Sequence, residues 1–341
     1  MPSADYAIMA TMAKSSTGNF FERLLAALDR LQQKHHALSF PYAVVRKYSD
    51  DNAGQLAALI TYYGFLSLFP LLLAATSIID LVAQHNSDLR IRLVADINSY
   101  FPIVGEQLQS SVHSTKTGAA LIAGLLVALY GARGIADAVR GALDHAWAIP
   151  RVKRSGFPKS LLKSVSLLVG SGIGLLLTTT LAGYTLAAVG RSPLLRIIPI
   201  VVNISLLYII FMYTFLIGTS RKHPRKDIRL GAITASFGLL LLQTIGGYLI
   251  THQLHNLRGL YGQFALVLAI LFWIYLQAQV LVYAIEINVV HTYKLWPRSL
   301  TGKPITAADK KAFRLYAEKE AYRPKPEEEI DVTFKNPSAR L

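Results

Sequence analysis

A chain of 341 residues that is 52% hydrophobic and 16% charged has too few charges to cover soluble domains of that size, where about 25% is usual. It contains no cysteine, which excludes disulfides, thiolate metal sites and cysteine nucleophiles. The net charge of +15 raises nucleic acid as a partner, but the basic residues sit in blocks between apolar runs, the pattern of membrane topology and attraction to anionic lipid.

Residues 1 to 18 are polar. From Phe20 to Leu31 the apolar positions Phe21, Leu24, Leu25, Leu28 and Leu31 recur at helical spacing with Arg23, Asp29 and Arg30 opposite, which predicts an amphipathic helix on the membrane interface. No cleavable signal peptide is expected, because no apolar core follows a basic start. Uncharged runs then dominate: 28 residues between Asp51 and Asp80, 27 between Lys163 and Arg191, 24 between Arg196 and Arg221, 28 between Arg229 and Arg258, and 27 between Arg258 and Glu286. Each exceeds the roughly 20 residues a helix needs to cross a bilayer. A sixth run, Thr117 to Ala132, has 16 residues and reaches across only if Arg133 lies at membrane depth and extends its head to the interface.

These runs predict an all-α integral membrane protein with six transmembrane helices at 54–82, 116–138, 162–190, 195–219, 229–252 and 262–291. No period-2 alternation supports strands, and an open sheet edge finds no partners in lipid. Residues 1–52 form an N-terminal segment, 83–115 an outer cap of two short amphipathic helices, and 294–341 a charged tail with one helix around Ala307 to Glu320. Of the 35 Lys and Arg, 28 fall on the side of the two termini, which predicts that both are cytoplasmic.

Within the first span, TYYGFLSLFP carries Tyr62, Tyr63, Ser67 and Pro70. Proline in a buried helix frees a carbonyl and kinks the axis, and an unpaired hydroxyl in hydrocarbon costs several kcal/mol. Part of this helix therefore faces a polar interior, and the alternatives are a kinked packing helix whose hydroxyls are satisfied locally and a polar cavity. The stretches AALITYYGFLSLFPLLLAATSII, LYGARGIADAVRGALDHAWAIPR and YGQFALVLAILFWIYLQAQVLVYAIEINVV resemble the first, second and last spans of the YihY/BrkB family of bacterial inner-membrane proteins. The resemblance implies a polytopic inner-membrane protein described as transporter-like, and brings an old ribonuclease label.

Arg133 and Asp137 share a helical face, so a local ion pair is open to them. A second expectation pairs Arg133 with Glu286 of the last span. Tyr275, Gln279, Tyr283 and Glu286 form a polar stripe that should turn inward and, with Tyr62, Tyr63, Ser67 and Gln243, line a central cavity or lock the bundle. The spacings Gly170-xxx-Gly174 and Gly231-xxx-Ala235 suit close helix crossings within the chain or between copies. No phosphate-binding loop, metal-ligand spacing or acid/base constellation is present in the motifs, so no catalytic residue, metal or cofactor is expected and ribonuclease activity is disfavoured. The expected partners are membrane lipids, with an anionic lipid or other amphiphile as substrate, no nucleic acid, and homo-oligomerisation left open. The alternative is a non-transporting envelope scaffold.

Overall fold

The computed structural model describes residues 29–82, 118–187, 193–302 and 305–323, with short pieces at 27, 328 and 330–334. The described residues are all-helical and contain no strand. The expected outer cap, and most of the expected Phe20 to Leu31 helix, lie outside them; residues 29–34 are helical and a break follows at His35.

Seven α-helices follow in order: α1 (His36–Asp50), α2 (Ala53–Val82), α3 (Gly118–Ala146), α4 (Lys159–Ala187), α5 (Pro193–Gly218), α6 (Arg225–Tyr293) and α7 (Ala307–Lys319), with a 3-10 turn at Arg151–Lys153 between α3 and α4. At 1.5 Å per residue, the 30 residues of α2 extend about 45 Å. Two stretches, Ile200–Gly218 and Val267–Tyr293, are each long and apolar enough to cross a membrane, and Ala53–Leu68 is a shorter apolar helix.

α6 is assigned as helix without interruption through the expected gap between 252 and 262. Yet Gly231 lies against Ala284 and Asn288, and Gly238 against Val280. Such contacts require the chain to turn back between Gly238 and Val280, so that the two arms run antiparallel. Asn288 Oδ1 accepts from the Gly231 amide at 2.6 Å, and the Thr292 hydroxyl donates to the Asp227 carbonyl at 3.1 Å, tying the arm ends together.

Small residues set the other crossings. α2 packs on α3 and α6, α4 on α5, and α5 on α6. A Cβ at Gly170 would lie 2.5 Å from the Tyr213 ring, and one at Gly174 2.5 Å from Ile210, so both glycines of that spacing seat α5. Gly64 receives Ile274 and Ile135 where α2, α6 and α3 meet. Both expected small-residue spacings thus include glycines at intramolecular crossings. A core of Leu143, Trp147, Phe215, Ile228, Ile285 and Val289 fills the end of the bundle where α1 and α7 dock.

Candidate functional site

Arg133 and Asp137 are one turn apart on α3, and the guanidinium Nε lies 2.9 Å from Asp137 Oδ2. Asp137 also accepts from the Ser164 hydroxyl of α4. Arg140, buried beneath it, donates to the Ser160 carbonyl and to the hydroxyls of Ser160 and Ser164. The carboxylate is therefore fixed by groups on two helices, and it fixes Arg133 in turn. The Arg133 side chain keeps 30% of its surface.

Beside it, Tyr63 rests on Gly134, where a Cβ would stand 2.5 Å from the ring. Tyr62 packs edge-on against Tyr63 at 5.3 Å between centroids. Tyr62 is 57% exposed, and Tyr130, one turn before Arg133–Gly134, is more exposed still. The Tyr62–Tyr63 pair thus lies over Gly134, the residue after Arg133, and Tyr130 is exposed one turn earlier on α3. Sequence reasoning missed Tyr130, though its i−3 relation to Arg133 could have shown it.

The expected stripe on the second arm of α6 does turn inward, and α1 meets it. The Tyr48 hydroxyl donates to Gln279 Oε1 at 2.5 Å, and the Tyr48 ring stacks on Tyr283 at 4.2 Å. Gln279 and Tyr283 also border a groove of about 280 Å³ between the arms of α6, completed by Thr234, Gly238, Leu242 and Leu276. Gln243 is half-buried on the first arm.

Two expectations need correction. Ser67 is buried and its hydroxyl donates to the Gly64 carbonyl at 2.9 Å, so it is satisfied within its own helix rather than offered to a ligand. Arg133 and Glu286 form no ion pair, because each has a nearer partner: Arg133 holds Asp137, and Glu286 Oε2 lies 2.9 Å from Lys47 Nζ of α1. Pro70 falls inside α2, which continues past it; the expected kink rests on side chains outside the described set.

Lys47 is the centre of a cluster that sequence reasoning did not anticipate. Its ammonium pairs with Asp51, donates to the Ala146 carbonyl at the end of α3, and faces Glu286. Lys47 and Asp51 are each 1% exposed and Glu286 0%. From α7, Lys319 reaches Asp51 at 3.1 Å and donates to His145 Nε2 at 3.1 Å. Burial, and the positive charge of Lys319, push the His145 imidazole below its ordinary value, so it is neutral and accepts that bond. The i,i+4 spacing of Lys47 and Asp51 was the one signal available.

A second seam secures the tail. Arg298, 1% exposed, donates to Asp50 at 2.8 Å and to Asp309. Asp309 closes a capping box with Thr306 at the start of α7. Asp29 accepts from the Leu300 amide at 3.0 Å and from Gln32 at 3.0 Å. The helix expected around Ala307 to Glu320 is thus built into the bundle's end.

The model of the BrkB virulence factor family matches residues 44–306, which include α2 to α6 and every residue of the Arg133 face. The chain belongs to the BrkB family. Among proteins similar to this BrkB-family chain, the ribonuclease-like protein YfkH of Bacillus subtilis (strain 168) is 23% identical over 276 residues, covering 76% of this chain and 98% of that protein. The inner membrane protein YhjD of Escherichia coli (strain K12) is 23% identical over 80% of this chain and 86% of its own length. A UPF0761 membrane protein of Pseudomonas paraeruginosa is 23% identical over 79% of this chain and 66% of its own length. No solved structure matches this BrkB-family chain.

Proposed function

We propose that this chain is a multi-pass inner-membrane protein with six spans and cytoplasmic termini that binds an anionic amphiphile, a phospholipid in the first instance, and carries it through the envelope membrane. The Arg133 face carries this reading. A guanidinium at membrane depth, next in the chain to the Gly134 that seats Tyr63 and one turn from the exposed Tyr130, is costly against acyl chains. It is suited to an anionic head group that takes charge-assisted hydrogen bonds. Asp137 positions Arg133 and, being partly shared with Arg140 and Ser164, leaves it net attraction for an anion. The groove beside Gln279, walled by Leu242, Leu276 and Val280, has the lining an acyl chain needs. Relatives named as an inner membrane protein and a membrane protein support the location, and the 28 to 6 partition of Lys and Arg between the two sets of loops supports the orientation.

The competing reading, a non-transporting scaffold, draws on the tightly joined end formed by α1, α7 and the Arg298 seam.

The test is native mass spectrometry of full-length protein released from nanodiscs of mixed anionic and zwitterionic lipid. The wild type should retain anionic lipid, and Arg133→Ala should lose it while keeping its helical circular dichroism. Equal retention by both would refute the head-group role, and loss of the fold by Arg133→Ala would assign Arg133 to structure.

A further inference from the structure

The Lys47 cluster is deeper and more heavily charged than docking one helix requires. Two carboxylates and two ammonium groups meet there, with Lys47, Asp51 and Glu286 each at 1% exposure or less and Lys319 at 10%. Buried ion pairs are weak stabilisers compared with apolar packing, so their presence calls for a further role.

The two carboxylates are unequally served. Asp51 is paired with both Lys47 and Lys319 and has His145 Nε2 at 3.8 Å. Glu286 shares only Lys47, and neither of its oxygens has an aligned hydrogen-bond donor. Lys47 directs two of its protons elsewhere, to Asp51 and to the Ala146 carbonyl. An unsatisfied, fully buried carboxylate is where an added proton is most welcome, because protonation removes the buried charge and supplies a donor.

A route to it exists. His145 is 29% exposed at the bundle's end. From its Nε2 the chain runs to Asp51 Oδ1, through Asp51 to Lys47, and from Lys47 Nζ 2.9 Å to Glu286 Oε2, with every gap under 4 Å. Among the described residues, the other titratable or charged groups facing this cluster include Tyr48 of α1, Tyr316 and Lys319 of α7, Tyr283 and Tyr293 on α6 itself, and Arg154 beside His145.

We propose that Glu286 is a proton-binding site, loaded from the cytoplasmic end through His145, Asp51 and Lys47. His145 Nε2 takes a proton from water in place of its bond from Lys319 and passes it to Asp51. Lys47 gives one of its protons to Glu286 Oε2 and regains one from Asp51. Only Glu286 is changed at the end, from carboxylate to carboxylic acid, and the cluster gains one positive charge. The attraction that holds Lys47 to α6 is then lost. Because Tyr48 follows Lys47 and bonds Gln279 at the groove, the groove senses the proton. This coupling rests on the transport reading; the proton site itself does not.

The experiment is infrared difference spectroscopy of the full-length protein in nanodiscs of zwitterionic lipid, stepped from alkaline to acidic pH without added anionic amphiphile. The proposal expects a protonated-carboxyl C=O band to grow in the wild type, to vanish in Glu286→Gln, to move in Glu286→Asp, and to grow more slowly after a pH jump in His145→Ala. Should Glu286→Gln fail to fold, the band position in Glu286→Asp decides. No band before unfolding, or a band identical in both Glu286 variants, overturns the proposal. The measurement uses no anionic lipid, so its failure leaves the Arg133 head-group reading standing, and loss of that reading leaves the band in place.

Discussion

Replacing Lys47 by methionine keeps most of the side chain's volume and removes its charge. Glu286 would then be fully buried with no cation near it, Asp51 would depend on Lys319 alone, and the Ala146 carbonyl would lose its donor. Removing one partner of a buried pair costs about 3–5 kcal/mol, which is roughly a hundredfold to a few thousandfold in the folding constant. Neutralising the orphan as well, in Lys47→Met/Glu286→Met, should return stability to within about 1–2 kcal/mol of the wild type, because an apolar pair of similar volume is tolerated where a lone charge is not. Unfolding in detergent, followed by circular dichroism across an SDS titration, measures all the corners of this cycle. If Lys47→Met cost under about 1 kcal/mol, or the double variant were no better than the single, the claim that Glu286 depends on Lys47 would be refuted.

Other outcomes are expected. Gly231→Ala should part the arms of α6, because its new Cβ would meet the Ala284 backbone carbonyl, whereas Gly141→Ala meets nothing within 4 Å; thermal unfolding should show the first destabilised by about 1–3 kcal/mol and the second unchanged or stabilised by up to about 1 kcal/mol. Thr306→Ala removes the side-chain cap of α7 and should cost about 1 kcal/mol, seen as faster hydrogen exchange in residues 307–319. The Asp309 carboxyl, although burial acts to raise it, is held below the ordinary carboxylate value by the Arg298 guanidinium and by bonds from Ser299 and Thr306. Its contribution to tail docking is therefore complete above the unfolded value of about 3.9 and disappears as pH falls through the lower folded value. Limited proteolysis of the tail should be independent of this group at neutral pH and accelerate only in strong acid, and Asp309→Asn should abolish that acid step.

The helices were legible because charge is expensive in apolar surroundings. The uncharged run after Asp51 coincides with a helix, α2, and the polar, charged stretch after Lys303 contains another, α7, whose cap shows only in the structure. α3 outlasts its uncharged run by carrying Arg133, Asp137 and Arg140, whose charges pair at i,i+4 and i,i+3. For the same reason the Arg133–Asp137 pair could be read from spacing alone. The partner of Glu286 could not. Lys47 is separated from it by most of the chain, and in sequence it looks like one more basic residue before a span. Ser67 follows the packing alternative, because its hydroxyl finds the Gly64 carbonyl within its own helix; composition alone does not separate that option from a polar cavity.

Photochemical capture in native membranes shows whether the Arg133 face receives an anionic head group. A photoreactive phenylalanine analogue at Tyr62, which is exposed beside Tyr63, should cross-link anionic phospholipid in preference to zwitterionic lipid, and the preference should vanish in Arg133→Ala. Capture in simple proportion to bulk lipid, unaltered by Arg133→Ala, would contradict it.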